Sequence, residues 1–133
     1  MNNKEYGKDY YTLHYRTEWT DCDNTVISLY VSGSEQQAGI VEVRTYKKGK
    51  HRGQALIWNL SVREQHRGKG LGRALLSAAY DVAMLAGCRE AVVEWDLRDS
   101  PQWVFDWYER EGYDEREFGR GYALMVKPIK ENA

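Results

Sequence analysis

Leu60-Ser61-Val62-Arg63-Glu64-Gln65-His66-Arg67-Gly68-Lys69-Gly70-Leu71-Gly72-Arg73 is the stretch that decides the reading of this chain: a strand end runs through a glycine-rich turn into the start of a helix. Leu71, Ala74, Leu75, Ala78, Val82 and Leu85 then recur at helical spacing, and Gly87 stands where a helix C-cap is expected. This predicts an amphipathic helix of about four turns. Glycines at 68, 70 and 72 let backbone N–H groups converge on an anion without Cβ obstruction, and the helix N-terminus adds the positive end of its dipole. Arg67, Lys69 and Arg73 supply further charge. The physical reading is a phosphate or pyrophosphate site; the plainer alternative is a tight turn with solvated basic residues.

Two phosphate loops do not fit. A P-loop needs Gly-Lys followed by Ser or Thr, and here Gly68-Lys69 is followed by Gly70. A dinucleotide fingerprint needs G-x-G-x-x-G opening a βαβ unit, whereas these glycines alternate and follow what reads as an antiparallel meander.

Upstream, residues 10–16, 25–31, 38–46 and 54–62 are rich in β-branched and aromatic residues and predict four successive strands, with 33–37 and 47–53 as hairpin loops. Downstream, residues 91–97 read as a buried strand. Ser100-Pro101 reads as an N-cap followed by proline at the first position of a second helix, which Gly112 closes after Glu111. Residues 122–126 form a last strand, with 113–118 as its partner. The order predicts a mixed α/β fold, α+β-like, in one domain over residues 1–133.

Composition narrows the function. A chain of 133 residues, 42% hydrophobic and 13% aromatic, suffices for one core. A net charge of -1 argues against binding nucleic acid or membrane by bulk electrostatics. The charge is unevenly spread, since residues 44–73 hold nine Lys or Arg against the single acid Glu64. Cys22 and Cys88 lie in dissimilar contexts without ligand spacing, which points to neither a disulfide framework nor a metal site. No apolar run approaches the roughly 18 residues of a membrane span, and the polar start Met1-Asn2-Asn3-Lys4-Glu5 has no signal-peptide core. A cytoplasmic location is the expectation.

The glycine loop resembles motif A of the GNAT superfamily of acyl-CoA-dependent N-acetyltransferases, R/Q-x-x-G-x-G/A, through Arg67, Gly70 and Gly72, preceded by the L-x-V strand end at Leu60 and Val62. Trp95 to Pro101, continuing through Val104 and Trp107-Tyr108-Glu109-Arg110-Glu111-Gly112-Tyr113, is similar to the superfamily's L-E-V-R-x-x-N…A…L-Y-E-K-x-G-F segment. The ending Tyr122 to Pro128 is similar to its closing strand, so the likeness covers residues 55–128 in order.

The resemblance implies a mostly antiparallel twisted sheet, splayed between the fourth and fifth strands, with helices on both faces. It implies acetyl-CoA as co-substrate and no metal. Backbone groups of Leu60, Ser61 and Val62 would bind the pantetheine arm, and amides of Arg67, Gly68, Lys69, Gly70, Leu71, Gly72 and Arg73 the pyrophosphate. Tyr108 occupies the position of the tyrosine that protonates the departing CoA sulfur, so the resemblance makes it the general acid. Asp96 aligns with a glutamate used as base by some relatives, and Glu94 lies two residues away on the same strand face; either is the expected general base, acting through water.

Three departures matter. Pro101 replaces the usual asparagine, and Val104 the usual alanine. Only Thr17 to Asn24 separate the first two strands, where the superfamily places one or two helices that wall the acceptor site. Either the acceptor cleft is open or a second subunit, as in a homodimer, covers it. Trp19, Trp58, Trp95, Trp103 and Trp107 include candidates for an acceptor-side wall. The acceptor is an amine, on a small molecule or a protein. Alternative readings are a catalytically silent CoA-binding or regulatory module and, less well supported, a nucleic-acid-binding protein using the basic stretch 44–52, a stretch that equally suits attraction of an acidic acceptor or the adenosine 3′-phosphate. His14, His51 and His66 show no triad or ligand spacing and receive no role.

Overall fold

Alternation of apolar and polar side chains sorts each strand onto one of two sheet faces, and the register of the sheet follows from it. The structure is a computed structural model that describes residues 5–6, 11–19, 22–96 and 98–129. Among these residues eight strands form one sheet: β1 (Glu5–Tyr6), β2 (Tyr11–Trp19), β3 (Asp23–Val31), β4 (Gln37–Thr45), β5 (Gln54–Val62), β6 (Glu90–Asp96), β7 (Asp114–Gly119) and β8 (Tyr122–Pro128). Two helices, α1 (Leu71–Leu85) and α2 (Gln102–Arg110), and a 3-10 turn at Glu64–His66 complete it.

The spatial order is β1-β2-β3-β4-β5-β6-β8-β7, and every pairing is antiparallel except β5–β6. With the two-residue β1 counted, the parallel pair joins the fourth and fifth strands of the sequence reading. Tyr10 and Leu97, expected within strands, lie outside the described residues.

One row of register partners, Thr25, Val43, Ile57, Val93 and Met125, crosses five strands on a single face. With Leu13, Ile27, Leu29 and Val41 it makes the buried core. Helix α1 lays Leu71, Leu75, Leu76, Ala79 and Ala83 on that face. Contact is close enough that a Cβ on Gly39 would stand 2.9 Å from the Ser61 carbonyl oxygen and 3.0 Å from Leu75 Cδ1.

Helix α2 packs on the same face: Phe105 meets Trp95, and Trp107 lies against Gly72 of α1. Both described helices therefore share one face, where the resemblance implied helices on both. The reason is local. Trp19 and Asp23 are register partners, so β2 turns directly into β3 and no helix intervenes. Among the described residues nothing covers the opposite face across β2, β3 and β4. A groove of about 630 Å³ there is lined by His14, Arg16, Val26, Ser28, Tyr30 and Ile40 among others.

Helix α2 starts one residue later than its sequence signal. Pro101 itself is the cap, with φ -67 and ψ 159, and Val104 N–H donates to its carbonyl at 3.0 Å. Proline's fixed φ suits either position, so ψ decides. No described helix is long and apolar enough to cross a membrane.

Candidate active site

The parallel ladder between β5 and β6 is short. It runs from Gln54 opposite Glu90 to Ile57 opposite Val93 and stops. Beyond it β6 stays with β8, Glu94 opposite Leu124 and Asp96 opposite Tyr122, while β5 stays with β4.

The cause of the divergence is visible in β5. Ile40 pairs with Ser61 and Glu42 with Trp58, so Asn59 and Leu60 both face Val41, a β-bulge. Asn59 has φ 54, the one non-glycine residue with positive φ among those described. Asparagine tolerates that region better than most residues. Its side chain is braced there: Asn59 Nδ2 donates to Glu42 Oε2 at 2.7 Å, and Asn24 Nδ2 donates to Glu42 Oε1 at 2.9 Å. A bulge bends and twists its strand. The result is a notch whose walls are the unpaired edges of 58–62 and 94–96.

At the mouth of the notch, β5 enters the 3-10 turn and then the glycine loop. Gly68 and Gly70 have φ +79 and +77, and a Cβ on either would meet nothing within 4 Å. These two glycines are needed for backbone shape, and they leave the space above the loop clear. Gly72 differs: it is helical, and its Cβ would lie 3.8 Å from the Trp107 ring. The first bond into α1 runs from Ala74 N–H to the Gly70 carbonyl at 3.1 Å. The amides of Leu71, Gly72 and Arg73 thus lack intrahelical acceptors. Among the described residues no side chain caps that end, and no acid sits in its first turn. Uncapped amides, the dipole and open space together favour an anion.

The basic side chains take different places. Arg67 Nε donates to the Val62 carbonyl at 3.0 Å, tying the loop to the strand end. Lys69 Nζ donates to the Tyr11 hydroxyl at 3.2 Å. Arg73 turns away from the loop to pair with Glu111 at 3.1 Å, so its backbone rather than its charge faces the loop.

Tyr108 sits half-buried on α2, its ring 5.4 Å from that of Trp107 and 6.1 Å from that of Tyr113. Burial pushes its hydroxyl above the ordinary tyrosine value, so the phenol holds its proton and suits an acid rather than a base. Glu94 and Asp96 flank core-facing Trp95 on β6 and so share the open face. Asp96 is engaged: its Oδ1 accepts the Arg98 N–H at 2.8 Å and lies 3.6 Å from Arg98 Nε. Glu94 is exposed and has no partner among the described residues.

Of the tryptophans, Trp58 stands at the lip of the notch on the open face, 37% exposed, and Trp103 is exposed on α2. Trp95 is core and Trp107 half-buried, while the side chain of Trp19 lies outside the described residues. Trp58 is held by its indole N–H to Asn24 Oδ1 at 3.2 Å, with the Arg44 guanidinium 5.2 Å over its ring.

The hairpin 47–53 lies at the opposite end of β5 from the glycine loop, about 26 Å away at strand rise. That separation removes it as a contact for an adenosine 3′-phosphate on a ligand bound at the loop. Its Lys47 pairs with Asp23 at 3.3 Å.

Sequence reasoning missed Tyr11, His66, Asn59 and the Asn24–Glu42 brace. A positive φ at a strand asparagine and a bond spanning 55 residues leave no local signal.

Residues 2–117 match the family model described as acetyltransferase (GNAT) family. A stretch of 75 residues is 33% identical to a protein of Methanocaldococcus jannaschii named an uncharacterized N-acetyltransferase, covering 56% of this chain and 32% of that one. The chain thus spans about a third of the length of that curated relative. The solved ribosomal-protein-S18-alanine N-acetyltransferase of Escherichia coli superimposes with a TM-score of 0.67 at 21% identity, over 87% of this chain and 74% of that one. The PaiA N-acetyltransferase of Thermoplasma acidophilum, solved with coenzyme A, gives 0.67 at 16% identity over 80% and 61%. At those identities the two structures speak for the fold.

Proposed function

This chain belongs to the acetyltransferase (GNAT) family, and from that premise we propose that it moves an acetyl group from acetyl-CoA to a primary amine by direct transfer within one ternary complex. The observation that carries the reading is the notch between β5 and β6 opening onto an uncapped, acid-free helix start. An extended pantetheine arm fits between two unpaired strand edges, and a pyrophosphate fits the amides of 67–73.

The groups divide the work by sheet face. Glu94, on the open face, takes a proton from the acceptor ammonium through water, leaving a neutral amine to attack the thioester carbonyl. The new N–C bond forms as the C–S bond breaks, and the proton still surplus on the nitrogen passes to water, which restores the one Tyr108 gives up. Tyr108, on the helix-covered face, gives its proton to the leaving thiolate. Placing base and acid on opposite sides of the notch keeps the two proton transfers apart while both reactants are held in line. Asp96 serves better as an anchor for the turn at 98–100, given its bond to Arg98, than as the base.

The acceptor approaches across the bare face beside Trp58. A dimer covering that face is the alternative geometry, read by sedimentation. We place the protein in the cytoplasm, with residues 1–133 forming one GNAT domain.

Calorimetric titration with acetyl-CoA and CoA tests the reading, on wild type and on Gly70→Asp, which sets an anion against the nest. Micromolar binding that is lost in a folded Gly70→Asp supports it. An amine screen with Tyr108→Phe as control then separates an enzyme from a silent CoA-binding module. Folded wild-type protein that binds neither ligand overturns the reading.

A further inference from the structure

His66 is 92% buried at the end of the 3-10 turn, one residue before the glycine loop. Its Nδ1 stands 2.8 Å from the hydroxyl of Tyr11, which is 0% exposed at the start of β2, and that hydroxyl also receives Lys69 Nζ at 3.2 Å. The Nε2 of His66 is buried without a partner among the described residues.

Donor logic orders this relay. An ammonium only donates, so the Tyr11 oxygen accepts from Lys69. The hydroxyl hydrogen is then free for His66 Nδ1, and the relay takes that orientation, in which Nδ1 carries no proton and the imidazole proton sits on Nε2. That puts an N–H in a buried place with no acceptor, an arrangement that costs stability. A histidine kept for packing alone would need neither the orphan nor the bond to Tyr11. The relay spans 55 residues to fix one lysine in a loop otherwise made flexible by glycine.

We propose that Tyr11 and His66 are positioning residues that aim the Lys69 ammonium at the bound pyrophosphate and brace the loop from beneath. The inference rests on the acyl-CoA reading above. It adds that the charge of the site is oriented from β2, an element outside the loop and outside the motif that identifies it.

The test is CoA calorimetry on Tyr11→Phe, Lys69→Met, their double variant, His66→Asn and His66→Leu, each checked for folding by circular dichroism. Asparagine places an acceptor oxygen where Nδ1 stands. Tyr11→Phe, Lys69→Met and His66→Leu each weaken CoA binding about tenfold, the double variant is about as weak as either single, and His66→Asn stays near wild type. In turnover the loss falls on KM for acetyl-CoA with kcat kept. Additive losses, or a folded Tyr11→Phe that binds as wild type does, overturn the proposal. If Tyr11→Phe does not fold, the His66→Asn and His66→Leu pair decides by the same criterion. Nitrogen-15 shifts of His66 read the relay without any ligand: the Nε2–H tautomer is expected, and an Nδ1–H tautomer overturns the relay even where CoA binds. Wild type that fails to bind CoA while showing the Nε2–H tautomer sinks the acyl-CoA reading, and with it the role in aiming charge.

Discussion

Deleting Asn59 should close the notch while leaving the protein folded. The deletion removes the one extra residue that sets 58 and 61 out of step. Trp58 still meets Glu42, Ser61 still meets Ile40, and Leu60 alone now faces Val41, so no side chain changes face. Relief of a non-glycine φ of 54 gains about 1 kcal/mol. Losing the exposed bond from Asn59 to Glu42 costs about 0.5–1.5 kcal/mol. The two nearly cancel, and the melting temperature should move by no more than about 5 °C. CoA affinity should fall at least tenfold, because a straightened β5 extends its pairing with β6 through the space the pantetheine arm needs. Asn59→Gly is the companion: glycine holds φ 54 without strain, keeps the bulge, and should bind CoA within about twofold of wild type. Thermal unfolding and calorimetry read both quantities. A deletion variant that folds and binds as wild type refutes the idea that the bulge makes the notch. An Asn59→Gly variant that loses binding would assign the effect to the side chain instead.

Tyr108→Phe should lower kcat about a hundredfold or more with KM for acetyl-CoA changed only a few-fold in steady-state assays. Because burial raises the Tyr108 hydroxyl, the wild-type phenol keeps its proton as pH rises past the ordinary value near 10, and activity lost through Tyr108 should appear only above that. Glu94→Gln should cost about a hundredfold in kcat/KM and Asp96→Asn clearly less; the reverse order in the same assay would return the base to Asp96. Gly72→Ala should gain up to about 1 kcal/mol in urea unfolding, since its φ is helical and Trp107 lies at contact distance, whereas Gly70→Ala at φ +77 should lose about 1–2 kcal/mol.

Legibility in the sequence followed the range of the forces involved. The strand 54–62, the glycine loop and helix 71–85 announce themselves through period and glycine spacing, which act over a few residues, and the structure places all three where the pattern did. The strand over 114–119, a weak signal made mostly of charged residues, forms because β8 offers it an edge. The loop's anion chemistry was readable; the aim of Arg73 was not, because Glu111 lies 38 residues away and only the packing of α2 on α1 brings it near. Tyr11 and His66 were opaque for the same reason. Each is ordinary in its own neighbourhood, and neither the strand nor the turn predicts that they meet.

The parallel ladder has a mechanical meaning. Within the sheet, four register pairs are all that join the five-strand amino-terminal half to β6, β8 and β7. Helix α1 is the other bridge, packing on β3, β4, β5 and β6. The molecule is therefore two stiff plates sharing a narrow seam, and whatever lies along the notch spans that seam. A ligand seated there works as a splint: at a hundred times its dissociation constant it adds about 2.7 kcal/mol to the folded state. Amide exchange at 54–57 and 90–93 should slow on its arrival more than exchange in the meander, which needs no such support.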